Sequence, residues 1–185
     1  MRAKSSFAPV AVLVLGLTGA AVAGTSEPPG LWTGPMHGET PAALAGAKVV
    51  DAAAVAELKK TGAVLIDVAE APAKPPGLSP DQPWLPIHMS IPGAVWFAGG
   101  GFGDGSPAYQ QRFAARVAEL TGGDRSRAVV AFCHPHCWGS WNAGKRLVML
   151  GYEKVYWFPG GVEAWEDRFA AAPVKPDKAW EVSRR

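Results

Sequence analysis

Apolar and polar positions along the chain fall into distinct patterns. Phe7–Ala21 is almost wholly apolar, and residues 24–47 show no periodicity. From Val49 onward, short apolar runs alternate with segments of helical period. Asp51 is placed to N-cap a helix over "AAAVAELKK", with Val55 and Leu58 on one face, Lys59 and Lys60 in the last turn and Gly62 as the stop. "AVLID" (Ala63–Asp67) reads as a buried strand, and "IPGAVWF" (Ile91–Phe97) as a turn entering a second one. Ser106 and Pro107 open a helix that carries Tyr109, Phe113, Val117 and Leu120 at helical spacing and ends at Gly122-Gly123. "RAVVAF" (Arg127–Phe132) and "KVYWF" (Lys154–Phe158) read as further buried strands. Between them "SWNAGKRLVML" (Ser140–Leu150) reads as a helix stopped by Gly151, and after them comes a short helix, "VEAWEDRF".

This alternation predicts an α/β fold, an open and mostly parallel sheet flanked by helices. Two stretches interrupt it. "EAPAKPPGLSPDQPWLP" (Glu70–Pro86) holds six prolines and forms no regular element. "AGGGFGDGSP" is a glycine-rich loop, but no Gly-Lys-Ser/Thr follows, so it is not a phosphate-binding loop. The expected organisation is a signal peptide at 1–23, an extended arm at 24–47 with Trp32 docked on the domain, one domain at 48–170, and a C-terminal tail at 171–185.

The N-terminus gives the expected compartment. Met1-Arg2-Ala3-Lys4 is a short basic start, the apolar run is short for a membrane span, and Ala21-Val22-Ala23 fits a small-x-small cleavage pattern before Gly24. The expectation is a protein exported to a bacterial periplasm, with no membrane attachment after cleavage. Loss of Arg2 and Lys4 leaves equal numbers of basic and acidic residues, so no surplus of positive charge points to nucleic acid. Eight Trp and seven Phe argue for a packed core.

The chemistry is concentrated in "AVVAFCHPHCWGSWNAGKRL" (Ala128–Leu147), which holds both cysteines. Cys133 ends a strand. A loop over His134, Pro135, His136, Cys137, Trp138 and Gly139 leads to a helix starting near Ser140. Ligands of open α/β sheets bind at such strand ends. Unsatisfied N–H groups of the loop and helix start would stabilise a Cys133 thiolate and hold an anionic group. Cys133 is therefore the expected nucleophile and Cys137 the resolving thiol. A disulfide across so short a loop would contribute little as a structural staple. Two Cys and two His also make metal binding a minor alternative, although adjacent Cys133 and His134 do not easily face one ion. No cofactor is expected. Asp67 and His88 are candidates to face the same cleft. Trp138 would either wall the substrate or pack, Trp141 would pack, and Lys145 and Arg146 fall on a solvated face. His37 carries no motif.

"VVAFC", its loop and helix, and "GYEKVYWFPGGVEAW" resemble the C-terminal half of the rhodanese-like (sulfurtransferase) domain, with Gly151, Tyr152, Val155, Gly160, Gly161, Ala164 and Trp165 matching its pattern. "VLIDV" (Val64–Val68) and "IPGAV" (Ile91–Val95) are similar to its N-terminal half. The resemblance implies the rhodanese-like fold and sulfur transfer through a persulfide on Cys133. The chain departs from the pattern in several places. Ala69 stands where the family has an arginine after Asp-Val, and Met89-Ser90 where it has Gly-His. The loop is one residue longer and lacks its closing arginine, with Trp138 near that place. These departures argue against ordinary thiosulfate:cyanide transfer. "CWGSWNAGKR" with "SIPGAVWF" resembles a periplasmic subfamily with a cysteine-pair-Trp motif, associated with catabolism through pyrroloquinoline-quinone-dependent alcohol dehydrogenases. That subfamily has two residues between its cysteines, against three here. The implied partners are a small sulfur, thiol or disulfide substrate and a protein of a periplasmic dehydrogenase system. A non-catalytic accessory role is the alternative.

Overall fold

The computed structural model describes residues 25–79 and 81–180, so the expected signal peptide lies outside the described residues. A five-stranded parallel sheet forms the centre, in the order β1 (Ala47–Val49), β6 (Val155–Phe158), β5 (Val129–Phe132), β2 (Val64–Asp67), β4 (Val95–Trp96). The sequence expectation of a mainly parallel α/β sheet flanked by helices is met. Every residue of β2 and β5 is buried, as expected of central parallel strands covered on both faces.

Strand alternation divides the core. Val64, Ile66, Val129 and Ala131 pack on one face with Phe113 and Val117 of α2 (Pro107–Thr121) and Leu147 of α3 (Trp138–Met149). Leu65, Val130 and Phe132 pack on the other with Val55 of α1 (Ala52–Lys60) and Val162 and Trp165 of α4 (Gly161–Glu166). The caps read from the sequence are in place. Asp51 accepts from Ala54 N at 2.9 Å and Ser106 from Tyr109 N at 3.3 Å, and Gly122 closes α2 in the left-handed region.

Four elements carry no periodic signal of their own: β1, two further short strands and a 3-10 turn. β1 lies at the boundary of the aperiodic arm. β3 (His88–Ser90) pairs antiparallel with β7 (Ala172–Val174), two strands too short to carry a period. The segment read as a tail is integrated as far as it is described. After β7, a 3-10 turn (Lys178–Trp180) buries Trp180, which stacks on Phe97 at 4.8 Å. Its signal was a lone Trp at the end of a polar stretch, a large apolar area that is costly to leave in water.

Candidate active site

The cysteine loop is shorter than the sequence suggested. α3 begins at Trp138 rather than near Ser140, and its N-cap is Cys137. His136 takes a left-handed conformation (φ 53°), which turns the chain tightly after Pro135. The consequence is electrostatic. The N-terminus of α3 faces Cys137 rather than Cys133. Cys137 makes no standard side-chain cap hydrogen bond, but the Ser140 and Gly139 N–H groups sit near enough to favour a charge on its sulfur.

The two sulfurs lie 2.7 Å apart, hydrogen-bonded and both buried. They do not titrate alike. The hydrogen bond shared with Cys133, then the Ser140 and Gly139 N–H groups and the charge of His37, outweigh burial and bring the Cys137 thiol down to about 6. That same hydrogen bond, burial, and the charges of Cys137 and Asp67 push Cys133 well above the ordinary thiol range, against a lesser opposing effect from the His134 N–H. This asymmetry favours charge on Cys137 and keeps the proton on Cys133.

Both cysteines line a cavity of about 180 Å³, together with Met36, His37, Val68, Glu70, Gly99, Gly101, Phe102, His134 and Gly139. Among the described residues, no Lys or Arg lines it. One wall is the glycine-rich loop. A Cβ on Gly101 would lie 2.3 Å from the Gly139 Cα, so only glycine lets this loop lie against the first turn of α3. Behind the loop, Arg146 is buried and donates to Gly100 O (3.1 Å), Phe102 O (2.7 Å) and Gln110 Oε1 (2.6 Å). The opposite strand end is held by α4, where Val162 N donates to Cys133 O at 3.0 Å.

Of the residues singled out from the sequence, the structure brings Cys133, Cys137, His134 and Gly139 together around the cavity. Pro135 and His136 form the outside of the turn, with His136 exposed and 3.7 Å from Glu39. Ser140 is buried and structural, donating to Cys137 O and accepting from Trp157 Nε1. Trp138 packs rather than walls the cavity, stacked on Trp32 at 4.3 Å and edge-on to Trp141. Asp67 and His88 do not line it. The two-residue period puts Asp67 with Leu65, on the sheet face opposite Cys133. There its Oδ2 accepts from Ser90 Oγ and bonds His88 Nε2 at 2.7 Å, while Oδ1 accepts from Ala69 N. This network braces the strand end. Where the family has an arginine, Ala69 is buried, and its carbonyl accepts from Trp96 Nε1 and Gly99 N.

Sequence reasoning missed Val68 and Glu70, the positions of opposite parity to Asp67, and the arm residues Met36 and His37, whose sequence has no period to place them. It also put Arg146 in water. Its signal was position, since Arg146 follows Trp141, Asn142 and Ala143 by helical steps on the buried face of α3. Among the described residues, no group of three or more His, Cys, Asp or Glu converges as a metal site.

No curated protein matches the chain. One solved structure, described as an atomic resolution structure of an uncharacterized protein from Saccharomyces cerevisiae, is similar at 17% identity and a TM-score of 0.39, over 65% of this chain and 92% of that one. The family model described as "Rhodanese-like domain" matches residues 51–168, a span that holds β2, β4, β5 and β6 of the central sheet, α1 to α4 and the cysteine loop. A strand-end cysteine before a helix start, set in that sheet order and matched over most of the chain, places this protein in the rhodanese-like domain family.

Proposed function

We propose that this protein is an exported dithiol enzyme of the rhodanese-like family, acting in the periplasm on a small sulfur or disulfide compound. The observation that carries the reading is the thiol pair, 2.7 Å apart at the end of β5, with the α3 N-terminus turned on Cys137. On this reading the nucleophile is Cys137 rather than Cys133. The Cys137 thiolate attacks the outer sulfur of a donor. A sulfur–sulfur bond forms on Cys137, the donor's bond breaks, and the leaving group departs with the electron pair. A persulfide formed this way can pass its sulfur to an acceptor thiol. Alternatively, Cys133 loses its proton and attacks Cys137 Sγ, closing a Cys133–Cys137 disulfide and expelling the bound sulfur as a thiol or sulfide. An external thiol reductant then reopens the pair.

The cavity lining supports a substrate of low charge. Asp67 acts on Cys133 from behind, and among the described residues that line the cavity there is no Lys or Arg to face a dianion such as thiosulfate. The resemblance of "CWGSWNAGKR" and "SIPGAVWF" to the cysteine-pair-Trp subfamily supports a setting in catabolism through pyrroloquinoline-quinone-dependent alcohol dehydrogenases, a link by pathway with no cofactor held by this chain. A second reading, an accessory that binds a protein of such a dehydrogenase system, is favoured by Leu85, Ile87 and Met89. These exposed side chains recur every second residue along the end of the proline-rich loop and β3.

Intact mass separates the two readings when thiols are alkylated at the moment of cell lysis. The enzyme reading expects an unalkylated species two hydrogens lighter, or one a sulfur atom heavier. Two ordinary alkylated thiols, together with no turnover of any persulfide or disulfide, would leave only the accessory role.

A further inference from the structure

The arm brings a histidine to the sulfur that the proposed chemistry uses. Trp138 N donates to Met36 O at 2.8 Å and Gly38 N donates to His136 O at 2.9 Å. These two bonds flank His37 and Cys137, which form an antiparallel bridge. In this pattern the central pair exchanges no backbone hydrogen bond and is the close one, with Cα atoms about 4.5 Å apart and side chains side by side. Both side chains accordingly line the cavity. The register of the arm is fixed from both ends of Trp32. Its ring stacks on Trp138, its N–H donates to Asn142 Oδ1 at 2.7 Å, and its carbonyl accepts from Asn142 Nδ2 at 2.8 Å.

The other histidines near the loop are already committed to carboxylates. His134 Nδ1 bonds Glu163 at 2.7 Å, His136 lies beside Glu39, and His88 bonds Asp67. Among the described residues His37 has no ion pair with a carboxylate, and the residue beside it across the bridge is Cys137.

We propose that His37 is the acid–base partner of Cys137, its imidazolium paired with the thiolate and giving its proton to the departing sulfur. This rests on the reading of Cys137 as the attacking thiolate. In the first step the Cys137–sulfur bond forms, the substrate's sulfur–sulfur bond breaks, and the leaving sulfur takes the electron pair and the His37 proton. The products are a mixed disulfide or persulfide on Cys137, a neutral thiol and a neutral imidazole. In the second step that imidazole takes the Cys133 proton as Cys133 attacks Cys137 Sγ: the Cys133–Cys137 bond forms, the bond from Cys137 to the substrate sulfur breaks, and that sulfur leaves with the electron pair as a thiolate or hydrosulfide. The other ionisable groups facing the pair are Glu70 and His134 in the cavity wall and Asp67 behind Cys133.

The test is the pH profile of iodoacetamide labelling at Cys137 in fully reduced, full-length protein, with the site read by peptide mass. H37Q is expected to label about fivefold more slowly than wild type near pH 6 and to converge with it at alkaline pH. H37K restores a cation and is expected to stay near the wild-type profile. An H37Q profile that overlays wild type would overturn the proposal while leaving the Cys137 thiolate intact. An H37K profile as slow as that of H37Q would assign the loss to displacement of the arm and overturn it too. Wild-type labelling of Cys137 only at alkaline pH would overturn the thiolate reading and this one together.

Discussion

Cys137→Ser is expected to abolish turnover with persulfide or disulfide substrates, by at least about a thousandfold, because it removes the only cysteine sulfur faced by the α3 N-terminus. Cys133→Ser is expected to fail differently. Serine keeps a hydroxyl that can still donate to Cys137, so the first attack survives. The adduct on Cys137 then has no resolving thiol, and one equivalent of mixed disulfide or persulfide accumulates. Rapid-mix assays with mass detection distinguish the two: no adduct in C137S, a single stable adduct on Cys137 in C133S. The reverse pattern, with an adduct on Cys133 in C137S, would return the nucleophile to the strand end.

Arg146→Met is expected to cost about 3 kcal/mol and to lower the melting temperature by about 10 °C. Arg146 is 4% exposed and donates to two loop carbonyls and to Gln110. Burial alone pulls the guanidinium below its usual range, a burden that methionine relieves. The loss of three charge-assisted hydrogen bonds outweighs that relief, because Gly100 O and Phe102 O are left without this donor next to the cavity wall. The guanidinium also sits 4.8 Å from the Phe113 ring centroid, and that contact goes with it. Thermal melting with and without a cavity-bound probe checks this. An unchanged melting temperature would show that the glycine loop holds itself in place.

What was legible in the sequence follows from which signals are local. α1 and α2 announced themselves through Asp51, Ser106 and Gly122, caps whose chemistry acts within a few residues. β2, β5 and β6 are short apolar runs bounded by turns, and their order fixed the parallel sheet. α3 starts two residues earlier than the sequence suggests, because Cys137 is not a typical cap residue and Trp138-Gly139 carries no helical signal of its own. That small shift matters chemically, since it moves the helix N-terminus from one cysteine to the other. The face of Asp67 follows from strand parity, since it lies two residues after Leu65 in β2. The arm was not predictable. Met36 and His37 are held by backbone bonds to His136 and Trp138, and such long-range pairing leaves no period in a Gly- and Pro-rich segment. Nor was the β3–β7 pair, where each strand is only three residues long.

On the proposed reading Cys137, not Cys133, is the working thiolate. The most direct test is limited alkylation of the fully reduced protein by iodoacetamide across a pH series, with each cysteine's label quantified by peptide mass. The account predicts label on Cys137 with a half-maximal rate near pH 6, and none on Cys133 until Cys137 is blocked. Labelling of Cys133 first, with Cys137 silent at neutral pH, would contradict it.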